Sequence, residues 1–174
     1  RDILLMIDEV QTGNGRTGTL YAYEQFGILP DVVTTAKGLG GGLPIGACLM
    51  GEKAAGVLGF GQHGSTFGGN PIAAAGALSI LSRIDDALLE GVKERGDYIA
   101  KELTGAKGVK SVSGLGLMAG VECERPAGEV LAECMEAGVL VLTAKTKVRL
   151  LPALNIPMDL LREAICILKG VLAK

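Results

Sequence analysis

The feature that most constrains the fold is a short, continuous apolar run, Ile3–Ile7, which ends in the two carboxylates Asp8 and Glu9. An uninterrupted apolar run of this length is typical of a strand buried in a parallel sheet, with polar groups at its carboxyl end. Val32–Thr35 is a second such strand, and it leads into Lys37 and a cluster of glycines. The pattern therefore predicts an α/β fold with a mainly parallel sheet.

The rest of the chain shows alternating strand and helix patterns. Pro71 opens a long helix rich in Ala and Leu, at a position that suits proline. After Gly105 the pattern changes to short strands and helices, which predicts a boundary between an α/β portion at residues 1–104 and a smaller α+β lobe at residues 105–174. The other predicted elements are helices at 20–26, 71–83, 85–103, 128–137 and 158–172, and strands at 45–50, 109–112, 117–122, 139–142 and 148–151.

Composition excludes several classes of function. The net charge is −2 and aromatic residues make up 3% of the chain, so neither a basic surface nor stacking side chains for nucleic-acid binding are expected. No apolar run is long enough to predict a membrane span. The four cysteines form no C-x-x-C pair, which favours buried, reduced thiols in a cytoplasmic protein. The 27 glycines, about twice the average share, indicate tight turns and close approach of the backbone to a ligand.

Asp8 and Lys37 each follow a predicted strand and are 29 residues apart (37 − 8). Ligands of parallel α/β sheets bind beyond the carboxyl ends of the strands, so a carboxylate and an amine are directed at one crevice. Between Ala36 and Gly38, the lysine is expected to be desolvated, which favours the neutral, nucleophilic amine. A Schiff-base lysine with an aspartate beside a pyridinium nitrogen is the pattern of pyridoxal-phosphate enzymes. Taken singly, the two residues also suit ordinary turn positions.

Three stretches of this sequence resemble signatures of the class III pyridoxal-phosphate-dependent aminotransferases. They are Leu5–Gly18 (L-M-I-D-E-V-Q-T-G-N-G-R-T-G), Pro30–Gly46 (P-D-V-V-T-T-A-K-G-L-G-G-G-L-P-I-G) and His63–Pro71 (H-G-S-T-F-G-G-N-P). They occur in the family's order and spacing, and the resemblance extends to the carboxyl end. It implies the type I fold of pyridoxal-phosphate-dependent transferases, with residues 1–104 in the cofactor-binding large domain and residues 105–174 in the small domain.

The resemblance also implies roles for single residues. Lys37 matches the lysine that holds pyridoxal 5'-phosphate and then transfers a substrate proton. Asp8 matches the partner of the pyridinium nitrogen, Val10 the side chain on the ring face, and Gln11 the residue at the ring hydroxyl. No metal site is predicted.

Further matches imply a shared active site and a substrate arginine. Ser65 and Thr66 match the loop that reaches the cofactor phosphate of a neighbouring subunit, so a homodimer is implied. Arg149 matches the arginine that binds a substrate carboxylate, a role that suits the guanidinium fork, although by itself it is equally a surface charge at a strand end. One departure is Ser113-Gly114, where the family often has Arg-Gly.

The family's substrates are amino acids and 2-oxo acids. The sequence of residues 8–18 and 147–156 resembles most closely the family members that use N-acetylornithine as the amino donor and 2-oxoglutarate as the acceptor. That reaction is a step of arginine biosynthesis. Ornithine, 4-aminobutyrate, succinyldiaminopimelate and glutamate-1-semialdehyde are the alternative donors.

Two interpretations of a different class stay open. Gly13-x-Gly15-x-x-Gly18 fits the dinucleotide-binding pattern, but no acidic residue ends a second strand about 20 residues later. The other is a catalytically inactive piece of an enzyme. Because the chain opens with Arg1 and a strand starts at Ile3, we expect a carboxy-terminal segment of a longer protein, with the family's phosphate-cradling loop, ring-stacking aromatic residue and gating glutamate upstream.

Overall fold

The structure is a computed structural model that describes residues 3–174; Arg1 lies outside the described residues. The chain divides into two compact units, of which the first ends at Leu89 and the second comprises Glu90–Lys174. The predicted domain boundary near residue 105 stays a prediction. The compact units separate earlier because the helix at Asp86–Leu103 contributes side chains to the core of the second unit.

A three-stranded sheet organises the first unit, in the order β1 (Met6–Asp8), β2 (Val32–Thr35) and β3 (Ala47–Met50). The first two strands are parallel, and β3 runs antiparallel to β2. The predicted first strand, Ile3–Ile7, is confirmed in part, because regular pairing begins only at Met6. Its predicted burial is wrong, since residues 3–6 are exposed and Ile7 is only half-buried. The sheet is therefore mixed, and β1 and β2 form the predicted parallel pair.

Helices of the first unit follow the strands. A 3₁₀ helix at Ala22–Phe26 ends at Gly27 in the left-handed conformation (φ 62°), and a second 3₁₀ helix spans Lys37–Gly40. Two α-helices come next, the single turn α1 (Glu52–Ala55) and α2 (Pro71–Leu81). The turns at residues 37–40 and 52–55 were not predicted, since one helical turn is too short to show a periodic pattern.

The second unit packs helices on one face of a four-stranded antiparallel sheet, in the order β4-β5-β7-β6. Inward-facing residues of β5 and β7 alternate with more exposed ones, and they pack against the buried faces of the helices. Strands and helices predicted from the sequence are found with their ends shifted by at most three residues. The elements are α3 (Asp86–Leu103), β4 (Val109–Leu115), β5 (Met118–Cys123), α4 (Ala127–Glu136), β6 (Leu142–Ala144), β7 (Lys147–Leu150) and α5 (Met158–Leu172).

The cysteines are all free thiols, but only two of them are buried. Cys123 and Cys134 lie in the core of the second unit, and burial raises the pKa of both thiols, which keeps them in the protonated, unreactive form. The prediction of burial is wrong for Cys48 and Cys166, which are exposed. Cys48 lies on β3, whose four residues are all exposed, and Cys166 lies on the outer side of α5.

Among residues 3–174, no helix combines the length and the apolar character that a bilayer span requires. The cytoplasmic location stays a prediction.

Glu133 connects α4 to the carboxyl end of the chain. Its carboxylate accepts hydrogen bonds from the guanidinium of Arg125 and from Nζ of Lys174, the latter at 2.9 Å. Arg125 also donates to the carbonyl oxygen of Val171 at 3.3 Å, so the cluster ties α4 to α5. The hydrogen bond from Arg125, followed by that from Lys174, lowers the pKa of Glu133 to about 2.

This cluster predicts a specific loss of stability in acid. The unfolded chain takes up a proton on Glu133 near the ordinary pKa of 4.5, whereas the folded chain does so only near pH 2. The contribution of Glu133 is therefore complete above pH 4.5 and is lost as the pH falls towards 2. Urea unfolding of wild type and Glu133→Gln should show a stability difference that shrinks across this window. Glu129→Gln, which removes a longer and more exposed contact to Arg125, is the control and should change less; an equal effect of both variants would contradict the assignment.

Candidate active site

Asp8 is the last residue of β1, and its carboxyl group is held in a defined orientation. Oδ1 accepts a hydrogen bond from the backbone N–H of Val10 at 2.8 Å and from the hydroxyl of Thr34 at 3.3 Å. The carboxylate is nonetheless exposed. Asp8 therefore presents an oriented acceptor at the carboxyl end of the strand.

Lys37 lies at the same edge of the sheet. Asp8 is paired with Thr34 in the parallel register, and Lys37 follows that residue by three positions (37 − 34). The backbone of Lys37 is left-handed, with φ 49°, a conformation that costs an L-residue about 1 kcal/mol. Strain of this kind is typical of positions where the chain must direct a particular side chain.

The predicted desolvation of Lys37 is wrong for this chain, because the residue is exposed. Its neighbours Ala36 and Gly38 are too small to cover a long side chain. Small neighbours in the sequence therefore do not by themselves predict cover from solvent.

A buried carboxylate that the sequence did not single out supports the loop after β1. Glu9 is 1% exposed, and its side chain accepts hydrogen bonds from the hydroxyl of Thr12 and, at 2.9 Å, from the N–H of Tyr23. Its carbonyl oxygen accepts from the N–H of Gly13 at 3.0 Å. A Cβ at Gly13 would lie 2.8 Å from that oxygen and 2.9 Å from the ring of Tyr21, so only glycine fits. This network holds the segment that carries Val10 (half-buried) and Gln11 (exposed).

Asn14 is the second supporting residue that the sequence did not reveal. It is buried, and its amide donates at 3.1 Å to both Oγ1 of Thr35 and the carbonyl oxygen of Ala36. The loop after β1 is thereby joined to the turn after β2. The signal in the sequence was weak. An asparagine between two glycines suits a left-handed backbone, but the neighbouring residues do not indicate which groups it will hydrogen-bond.

Helix α2 packs closely against the 3₁₀ turn at Lys37–Gly40 and the residues that follow it. A Cβ at Gly76 would lie 2.7 Å from Cδ1 of Leu43 and 3.3 Å from the carbonyl oxygen of Gly40, and a Cβ at Gly41 would lie 2.8 Å from the side chain of Ile80. Glycines on both sides therefore allow the helix to approach the turn closely. Asn70 caps this helix by accepting the N–H of Ala73 at 2.9 Å.

Ser65 and Thr66 lie on the loop between α1 and α2, and both are exposed. The loop also exposes two large aromatic side chains, Phe60 and Phe67, the latter 81% accessible. An irregular loop with exposed aromatic residues suits a contact with another chain. The roles of Ser65 and Thr66 stay predictions.

Arg149 belongs to the second unit, where it is half-buried on β7, opposite Gly120 of β5. It lines a largely apolar cavity of about 280 Å³ together with residues of α5. Ser113, the departure from the family pattern, is opposite Gly120 on the other side, and its hydroxyl accepts a hydrogen bond from Nζ of Lys147 at 2.9 Å. An ammonium group therefore lies beside Ser113.

Two other site types find little support. The loop at residues 13–18 is followed by the five-residue 3₁₀ helix and not by the long helix whose N-terminus binds a dinucleotide. Within the described part of the chain, no cluster of three or more His, Cys, Asp or Glu side chains is arranged to hold a metal ion.

Comparison with known proteins gives one consistent family. The model of the family Aminotransferase class-III matches residues 1–172. An acetylornithine aminotransferase of Haemophilus ducreyi is 50% identical, over 100% of this chain and 45% of its own length. The chain thus spans about half the length of the curated relatives it matches.

Solved structures agree with this result. The N-acetylornithine aminotransferase of Stenotrophomonas maltophilia has a TM-score of 0.87 and 35% identity, covering 99% of this chain and 47% of that one. The ornithine delta-aminotransferase of Plasmodium falciparum has a TM-score of 0.90 and 35% identity, with 98% and 47% covered. The predicted fold class is confirmed, and the chain belongs to the class III aminotransferases, a family that depends on pyridoxal phosphate.

Proposed function

We propose that this chain is the lysine-bearing part of an aminotransferase that moves an amino group from N-acetylornithine to 2-oxoglutarate. The observation that carries the proposal is the parallel pairing of β1 and β2. It brings an oriented carboxylate, Asp8, and an exposed amine on a strained backbone, Lys37, to one edge of the sheet. Curated relatives named acetylornithine aminotransferase support the donor.

The residues at this edge fit pyridoxal phosphate by the chemistry of their side chains. When bound, the cofactor supplies an aldehyde that an amine attaches to and a protonated pyridine ring that accepts electrons. Asp8 offers an acceptor for the ring N–H, and the hydrogen bonds to its Oδ1 keep the carboxyl group from rotating. Lys37 offers the amine, and its exposure leaves it open to an incoming aldehyde.

Each residue then has a defined task. Lys37 would hold the cofactor, and its amine, when free, would accept the proton from the α-carbon of the donor. Val10 would pack on one face of the ring, and Gln11 would hydrogen-bond the ring hydroxyl. Arg149 binds a substrate carboxylate through two parallel N–H bonds.

The proposed assembly is a homodimer in which each subunit completes the other's site. The exposed loop that carries Ser65 and Thr66 supports it, since two accessible hydroxyl groups suit the phosphate in a neighbouring subunit. The same loop presents Phe60 and Phe67 to solvent, which suits burial against a partner.

The role of Lys37 predicts that Lys37→Ala abolishes attachment of pyridoxal phosphate and lowers transamination by about 10³-fold or more, because the amine both anchors the cofactor and moves the proton. Visible absorbance of the complete gene product with added cofactor measures attachment. Lys145→Ala is a matched control, because Lys145 is also exposed and left-handed (φ 55°). A complete wild-type protein that stays colourless would contradict the proposed aminotransferase function, and a coloured Lys37→Ala variant would exclude Lys37 as the anchor.

The role of Asp8 predicts a selective loss of chemistry. Asp8→Asn keeps the shape but removes the negative charge that holds a proton on the ring nitrogen, so the single-turnover rate of proton transfer should fall about 10²- to 10³-fold. The donor's dissociation constant should change by less than about threefold, since Asp8 does not contact the donor. Asp97→Asn, an exposed position on α3, is the control. An unchanged proton-transfer rate would refute the assignment.

The choice of donor has one specific competitor, because solved ornithine aminotransferases superpose well on this chain. Ornithine differs from N-acetylornithine by a free distal ammonium, which must be desolvated in a site shaped for an amide. We therefore expect kcat/KM with 2-oxoglutarate to favour N-acetylornithine by about tenfold or more. Steady-state assays with both donors decide the question, and a ratio in favour of ornithine would assign that donor instead.

A further inference from the structure

We propose that Asn14 is a positioning residue for Lys37, acting through the peptide group that joins Ala36 to the lysine. The inference rests on the proposed role of Lys37 as the cofactor anchor. Asn14 does not contact the reacting atoms; it fixes the backbone from which the amine projects.

The amide of Asn14 is itself fixed. The residue is 6% exposed, and Nδ2 donates one hydrogen bond to Oγ1 of Thr35 and one to the carbonyl oxygen of Ala36, both at 3.1 Å. These bonds use both protons of the amide, so its plane cannot turn without losing one. Oδ1 is buried without a hydrogen-bond partner among the described residues. A flipped amide would instead place two carbonyl oxygens against each other, so the donors decide its orientation.

The carbonyl oxygen of Ala36, which accepts one of these hydrogen bonds, connects Asn14 to Lys37. The carbonyl oxygen of Ala36 also accepts the N–H of Leu39 at 3.0 Å, the bond that closes the 3₁₀ turn. With both lone pairs engaged, the peptide plane between Ala36 and Lys37 is held from two sides. The orientation of that plane sets φ of Lys37, which is left-handed at 49°. Loss of the bonds from Asn14 lets the plane rotate towards an ordinary φ and redirects the side chain.

Asn14 is placed for this task by its own loop. Its φ is 55°, a conformation that asparagine tolerates better than most side chains, and the N–H of Gly15 donates to the carbonyl oxygen of Leu20 at 3.3 Å. A Cβ at Gly38 would lie 3.5 Å from Cβ of Asn14, which is ordinary contact. The loop after the Asp8 strand therefore packs directly on the turn that carries Lys37.

The deciding variant is Asn14→Gly, because glycine keeps the left-handed backbone without strain while it removes the side chain and its hydrogen bonds. The complete gene product, freed of cofactor, is mixed with pyridoxal phosphate and reduced with borohydride, and mass spectrometry quantifies the adduct on Lys37. We expect the initial rate of adduct formation at Lys37 to fall about tenfold, with other lysines unchanged. In turnover, kcat should fall while KM for the donor stays within about twofold.

Two further variants separate the outcomes. Thr35→Val removes one of the two acceptors and should lower the rate at Lys37 about threefold, which tests the proposal if Asn14→Gly fails to fold. Asn155→Gly, an exposed turn position, should leave the rate unchanged. Wild-type rates in Asn14→Gly or in Thr35→Val would overturn the positioning role. Absence of any Lys37 adduct in wild type would instead overturn the proposed function.

Discussion

The site depends on the register between two short parallel strands. Met6 pairs with Val32 and Asp8 with Thr34, and the N–H of Glu9 extends the ladder to the carbonyl oxygen of Thr34 at 2.9 Å. Side chains alternate between the two faces of a sheet. A slip of one residue would therefore turn the carboxylate of Asp8 to the opposite face and move Glu9 away from its present hydrogen-bond partners. Register alone thus decides which of two adjacent carboxylates faces solvent.

The division of labour between these carboxylates follows from their surroundings. A buried charge is costly unless hydrogen bonds compensate for it, and Glu9 receives them from Thr12 and from the backbone of Tyr23. Once committed to these bonds, Glu9 anchors the loop and is not accessible for chemistry. Asp8 also accepts two hydrogen bonds, both at Oδ1, but it stays exposed, which suits a group that must meet a ligand.

The sequence predicted those features that a local pattern encodes. Val32–Thr35 and the helix at Met158–Leu172 were predicted with the ends found in the structure, because a β-branched run and an amphipathic stripe are contained in the elements themselves. The exposure of Lys37 and of Cys48 was not predictable, since it depends on what distant residues cover. The partners of Asn14 were hidden for the same reason, because Thr35 is 21 residues away along the chain.

Ser113 lies beside a positive charge that comes from another strand of its sheet. Lys147 lies two strands away from Ser113, and a side chain at the intervening Gly120 would lie 3.3 Å from Cδ of the lysine. Because Gly120 has none, the lysine stem crosses above β5 and brings its ammonium to the hydroxyl of Ser113. At this departure from the family resemblance, the chain therefore has a serine with a lysine beside it. The positive charge beside Ser113 thus comes from β7, two strands away, and the long, flexible stem of lysine spans that distance.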